Sequence, residues 1–130
     1  METGLGYVNT KTNKLEETFN LDGISSDYGS IISANSDFSK IYVLASAYDE
    51  KWNLSGSISS FDVTTGTFAE FVGGISGPKG VSVNPTDNKV YIFSAESVVE
   101  GGSMKIYTEA GTLEKEYATG ISPFMTLFLE

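Results

Sequence analysis

Apolar and polar residues alternate along most of the chain in short runs, broken by glycine, asparagine and aspartate. The clearest example lies between Gly73 and Ala95. There the short apolar run Gly80-Val81-Ser82-Val83 leads into the polar turn Asn84-Pro85-Thr86-Asp87-Asn88, and the alternating run Lys89-Val90-Tyr91-Ile92-Phe93 follows. A period of two on each side of a turn predicts two antiparallel strands. The same order occurs earlier, as Ile31-Ile32-Ser33-Ala34-Asn35, the turn Asp37-Phe38-Ser39-Lys40, and Ile41-Tyr42-Val43-Leu44. A third copy opens at Gly120-Ile121-Ser122-Pro123 and reaches Phe124-Met125-Thr126-Leu127-Phe128-Leu129. Gly-Ile-Ser stands at 23, 74 and 120, so the copies are spaced 51 and then 46 residues apart.

A second kind of hairpin alternates with the first. Residues 5–9 and 14–19 flank the turn Thr10-Lys11-Thr12-Asn13, residues 57–62 and 67–72 flank Thr64-Thr65-Gly66, and residues 104–108 and 112–118 flank Glu109-Ala110-Gly111. Asn13, Gly66 and Gly111 hold one turn position, where asparagine and glycine tolerate the left-handed backbone. The apolar spacing within 14–19 fits a helix as well as a strand. Its two counterparts, rich in β-branched and aromatic residues, decide for strand.

A strand-only repeat of this length predicts β-propeller blades. With the strands of a blade lettered a to d from the inside outward, the chain spells c-d, then two full a-to-d sets, then a lone a. The expected fold is therefore all-β: a partial β-propeller of four-stranded antiparallel blades, about 2.5 blades and ten strands. It forms one domain over 1–130, with strands c-d at 5–20, one blade over 29–73, a second over 79–118, and strand a of the next over 123–130. A ring takes at least four blades, so this chain is unable to close alone. A homo-oligomer, or the rest of a longer propeller, is the expected complement.

Charge and composition narrow the function. Seventeen acids against eight bases give a net charge of −9, which repels nucleic-acid phosphates and anionic lipid. Neither nucleic acid nor membrane insertion is expected, and no apolar run is long enough to cross a bilayer. Residues 1–4 show neither the basic start nor the apolar core of a signal peptide. The absence of cysteine and histidine excludes disulfides, thiol nucleophiles and a Ser-His-Asp triad within this chain. It also removes the commonest ligands of zinc and copper. The carboxylate pairs Glu16-Glu17 and Glu114/Glu116 fall on outer strands facing solvent rather than flanking a cleft, as a glycosidase pair would. No catalytic residue, metal or cofactor is expected, and the protein reads as non-enzymatic.

The runs Gly-Ile-Ser…Pro, Val-x-Val-Asn-Pro-x-x-Asn-Lys-Val-Tyr-Ile and Tyr-Thr-Glu-x-Gly resemble the repeats of YVTN-type and surface-layer-like β-propellers. They are most similar to propeller domains of unassigned function in Bacteroidetes surface lipoproteins. The stretches 74–95 and 103–123 carry the resemblance, with weaker copies over 4–47. It implies a cell-surface or periplasmic location and a recognition role. Some relatives capture cobalamin at the cell surface, which makes cobalamin or a glycan an alternative ligand. A structural or assembly repeat unit is a further alternative, and a hydrolase or lyase a remoter one. Relatives of this kind close rings of about seven blades, whereas this chain spans fewer than three.

Ligands of a propeller meet the face formed by its d-to-a and b-to-c loops, expected here at 20–29, 47–56, 73–79, 96–102 and 120–123. The loop Tyr48-Asp49-Glu50-Lys51-Trp52-Asn53 holds the only tryptophan. Tyr48, Asp49 and Trp52, joined by Asp27 and Tyr28 of the neighbouring loop, are the candidate ligand-binding residues. An aromatic ring stacks on a sugar or a corrin, and carboxylates bond its hydroxyls or amides. Two other roles compete with this one. Trp52 would pack over the neighbouring blade, and Asp22 and Asp27 would serve their own turns. A small molecule, glycan or protein on this face is the expected partner.

Overall fold

A computed structural model describes residues 2–25 and 31–129, which hold ten strands and no helix. β1 (Glu2–Asn9) and β2 (Lys14–Ser25) form a hairpin. β3 (Ile31–Ala34), β4 (Lys40–Tyr48), β5 (Leu54–Asp62) and β6 (Thr67–Ser76) form a second sheet. β7 (Pro78–Val83), β8 (Val90–Ser94), β9 (Gly101–Tyr107) and β10 (Leu113–Ile121) form a third. Each four-stranded sheet is a meander in sequence order, and every pair is antiparallel. The all-β expectation holds.

Turn chemistry explains where the chain reverses. Asn13, Gly66 and Gly111 all lie in the left-handed region, at φ 54°, 68° and 87°. In the first two of these turns a side chain at the strand end accepts the turn amides. Asn9 Oδ1 takes the Lys11 and Thr12 N–H groups, and Asp62 Oδ1 takes those of Thr64 and Thr65. Local backbone donors that would otherwise face water are satisfied this way.

The three sheets stack as layers, because alternate residues of the middle one are apolar on both faces. Tyr42, Leu44 and Ile58 point one way and meet Val81, Val83, Val90 and Ile92 of the third sheet, forming the main core. Val43 and Phe61 lie on the opposite face, where the Phe61 ring sits 4.8 Å from Phe19 of the hairpin. The equivalent tyrosines diverge. Tyr42 is fully buried with its ring edge-on to Phe71, whereas Tyr91 is half-buried against Phe128. The Tyr42 hydroxyl has no hydrogen-bond partner among the described residues. Burial, and then the Glu109 carboxylate, push its pKa up to about 12.

Three expectations need correction. β2, β6 and β10 run on through Ser25, Ser76 and Ile121, so much of the loops expected at 20–29, 73–79 and 120–123 is strand. The ladder to β5 resumes at Gly56↔Ile75 and Ser55↔Ser76, beyond a bulge at Gly73-Gly74 where Gly74 adopts φ 64°. The loop expected at 47–56 shrinks to 49–53 for the same reason, since β4 and β5 stay paired out to Tyr48↔Leu54. Finally, 123–129 is not a strand. It lies extended against β7, but no described strand offers it a ladder.

Candidate functional site

The loop from β4 to β5 is built on Asp49. Its Oδ1 accepts the Lys51 and Asn53 amides at 2.8 Å each, and its Oδ2 accepts Asn53 Nδ2 at 2.9 Å. Backbone bonds from Asp49 N to Asn53 O and from Trp52 N to Asp49 O, both 3.0 Å, close the turn. The Asn53 side chain, then the Asn53 and Lys51 amides, stabilise the ionised form and hold the Asp49 carboxyl below its ordinary value. Asp49 thus serves its own loop first.

The geometry it imposes falls on Trp52. At φ 62° this residue is in the left-handed region, which costs a non-glycine residue about 1–2 kcal/mol. Its side chain is 80 % exposed, with the ring centroid 5.9 Å from that of Tyr48 at a 54° tilt. Packing of Trp52 over a neighbouring sheet is therefore overturned. The loop presents the indole outward, with Tyr48 supporting one side of it. Phe38, at the opposite end of β4, is also exposed at positive φ, but no second ring flanks it among the described residues.

Of the other residues singled out in the sequence, Asp22 falls on β2, and Asp27 and Tyr28 lie outside the described residues. The outer-strand carboxylates are exposed, and three of them are bonded to neighbours. Glu16 accepts Asn9 Nδ2 at 2.8 Å, Glu114 pairs with Lys89 at 2.9 Å, and Glu116 pairs with Lys105 at 3.8 Å. No two of them flank a cleft as an acid and base would.

Sequence reasoning passed over a groove of about 540 Å³ between β6 and the β8–β9 edge. Gly73, Gly74, Gly101 and Gly102 leave its walls bare of side chains, while Glu96, Glu100, Lys105 and Tyr107 reach its rim. The paired glycines were the available signal, but alone they read as turns. The groove does not include Tyr48 or Trp52.

Acid should open the aromatic loop. Asp49 has a depressed carboxyl in the fold, so its contribution is complete above the unfolded value, about pH 4. It is lost as pH falls further, through the folded value. The near-ultraviolet circular dichroism of the Tyr48–Trp52 pair is expected to hold from pH 7 to about 4 and to collapse below that, ahead of the far-ultraviolet strand signal. A change centred near neutrality would show that Asp49 does not control the loop.

No protein-family model matches the chain, and no curated protein sequence matches it. No helix of the described residues is long and apolar enough to cross a membrane. What fold and site define together is an all-β protein of layered antiparallel sheets with an outward-facing aromatic loop.

Proposed function

We propose that this chain is a non-enzymatic recognition module of the cell envelope, a segment of a β-propeller. Its β4–β5 loop would bind a ligand or protein that offers a flat apolar face. One observation carries the proposal: Trp52 is held outward at a strained backbone angle, although the same turn would form more easily with glycine or asparagine there. Strain and solvent exposure of the largest side chain both oppose folding, and a binding role accounts for both. A sugar ring, a corrin or an aromatic side chain of a partner has the required face.

Two observations support the blade reading of the sheets. Each four-stranded sheet is a simple meander, and equivalent residues mediate the contact from layer to layer. Ser33 Oγ of β3 accepts the Val83 amide of β7 at 3.0 Å, and Ser82 Oγ of β7 accepts the Thr126 amide at 3.3 Å. Ser33 and Ser82 hold the same position in the sequence repeat. Apolar residues left exposed at both ends of the stack favour a second reading beside the first, that of an assembly unit.

Trp52 reports on itself, being the only tryptophan. Its fluorescence is expected to shift saturably with one member of a panel of oligosaccharides, corrinoids and aromatic-rich peptides. Trp52→Ala should weaken that binding at least about tenfold, as an aromatic anchor worth about 2 kcal/mol requires. Silence across the panel would leave the assembly unit as the better reading.

A further inference from the structure

The segment after β10 has a place in the stack but no sheet. Thr126 and Phe128 turn toward the third sheet: the Thr126 amide donates to Ser82 Oγ, its hydroxyl contacts Met104 Sδ at 3.9 Å, and the Phe128 ring lies 5.0 Å from Tyr91. Gly80 lets the Phe124 carbonyl come so near that a Cβ there would collide with it. Met125, Leu127 and Leu129 alternate with these residues and are 68 %, 79 % and 86 % exposed. Period-two alternation with apolar residues on both faces is the pattern of a strand meant to be covered on both.

The relation of this segment to β7 repeats that of β7 to β3, through the Ser82 and Ser33 bonds described above. β3 and β7 each have a strand on their other side, and the two partners share a residue pattern. β4 opens Lys40-Ile41-Tyr42-Val43-Leu44, and β8 lies within Lys89-Val90-Tyr91-Ile92-Phe93. Successive amides of an extended chain point to opposite edges. With the Thr126 amide directed at Ser82, those of Met125 and Leu127 face the other edge, where no described residue bonds them.

We propose that residues 124–129 form a strand-accepting edge. Its occupant is an antiparallel β-strand of the pattern Lys-(Ile/Val)-Tyr-(Val/Ile)-(Leu/Phe), added as β4 is to β3 and β8 to β7, and able to dock when offered as a separate peptide. Main-chain bonds along the edge would provide the affinity, and the alternating apolar side chains the register.

The test uses the whole chain and a fluorescein-labelled peptide with the sequence of residues 88–95 followed by two lysines. Saturable anisotropy is expected, with at least about tenfold weaker binding for a scrambled peptide and for Leu127→Pro or Met125→Pro. Each proline removes one amide from the accepting edge and leaves the three sheets untouched, which far-ultraviolet circular dichroism would verify. A self-associated chain that either proline variant and excess peptide both return to monomer would also support the proposal, a second copy then supplying the strand. A flat titration on a monomeric chain would overturn it. So would equal binding of the scrambled peptide, or self-association that neither proline nor peptide disturbs.

Discussion

Ile58→Ala is expected to lower the free energy of unfolding by about 2–5 kcal/mol, the range for deleting most of a fully buried aliphatic side chain. Ile58 has no exposed surface and pairs across the ladder with Leu44 and Val72. More importantly, it belongs to a cluster drawn from two sheets, with Val81, Val83, Val90 and Ile92 on the far side. A hole at this point is lined by both layers, and neither can close it without moving the other. The loss should therefore appear as one cooperative transition at lower urea, rather than as early melting of the middle sheet alone. Ile32→Ala gives the comparison. Ile32 stands two strands away on β3 but faces outward and is exposed, so its truncation should cost no more than about 0.5 kcal/mol. Equal urea midpoints for the two variants would mean that the layers do not share a core.

The exposure of Ile32 follows from the arrangement of layers. The hairpin β1–β2 packs on β4 and β5, with Phe19 on Phe61, and Ile32 on β3 stays exposed. At the other end, 123–129 covers the inner strand β7, while Tyr117 on β10 remains exposed. Each end of the stack thus covers only part of the sheet it packs on, and apolar residues beyond it stay open.

The strands were legible where two signals coincided: alternation of period two, and a turn residue able to adopt positive φ. Asn13, Gly66 and Gly111 illustrate this, since one backbone requirement selects both residue types. Strand ends were less legible. Gly73-Gly74 has no side chains to alternate and forms a bulge, so only the ladder to β5 on either side of it shows that β6 continues. The segment 124–129 has the composition of a strand, but a strand is defined by its partner, which its own residues do not specify. The candidate loop was recognisable by its tryptophan. That Trp52 would point outward was not, because its direction depends on the backbone angle that Asp49 imposes through five hydrogen bonds across the turn. The groove between β6 and β9 was invisible for a related reason, being formed where side chains are lacking.

Gly77→Ala should destabilise more than any other single methyl addition at a positive-φ glycine. Gly77 joins the middle sheet to the third one. Its amide donates to Leu54 O and its carbonyl accepts the Ala95 amide, each at 2.8 Å, so one residue is bonded to both sheets. Two separate costs meet there. Its φ of 56° carries a penalty of about 1–2 kcal/mol for alanine. A Cβ would also run into the Ala95 carbonyl oxygen and lie 2.9 Å from Glu96 N, forcing apart the strand ends that the Ala95 bond holds together. Loss of that bond adds about 1 kcal/mol or more. Gly74→Ala separates the two costs, since Gly74 has a similar φ of 64° but nothing within 4 Å of an added Cβ. Urea denaturation is expected to show about 1–2 kcal/mol lost at Gly74 and about 2–3 kcal/mol or more at Gly77. The excess measures how closely the two sheets approach where the chain crosses between them. If the two alanine variants unfold at the same urea concentration, backbone strain alone explains Gly77, and the sheets are not clamped at that crossing.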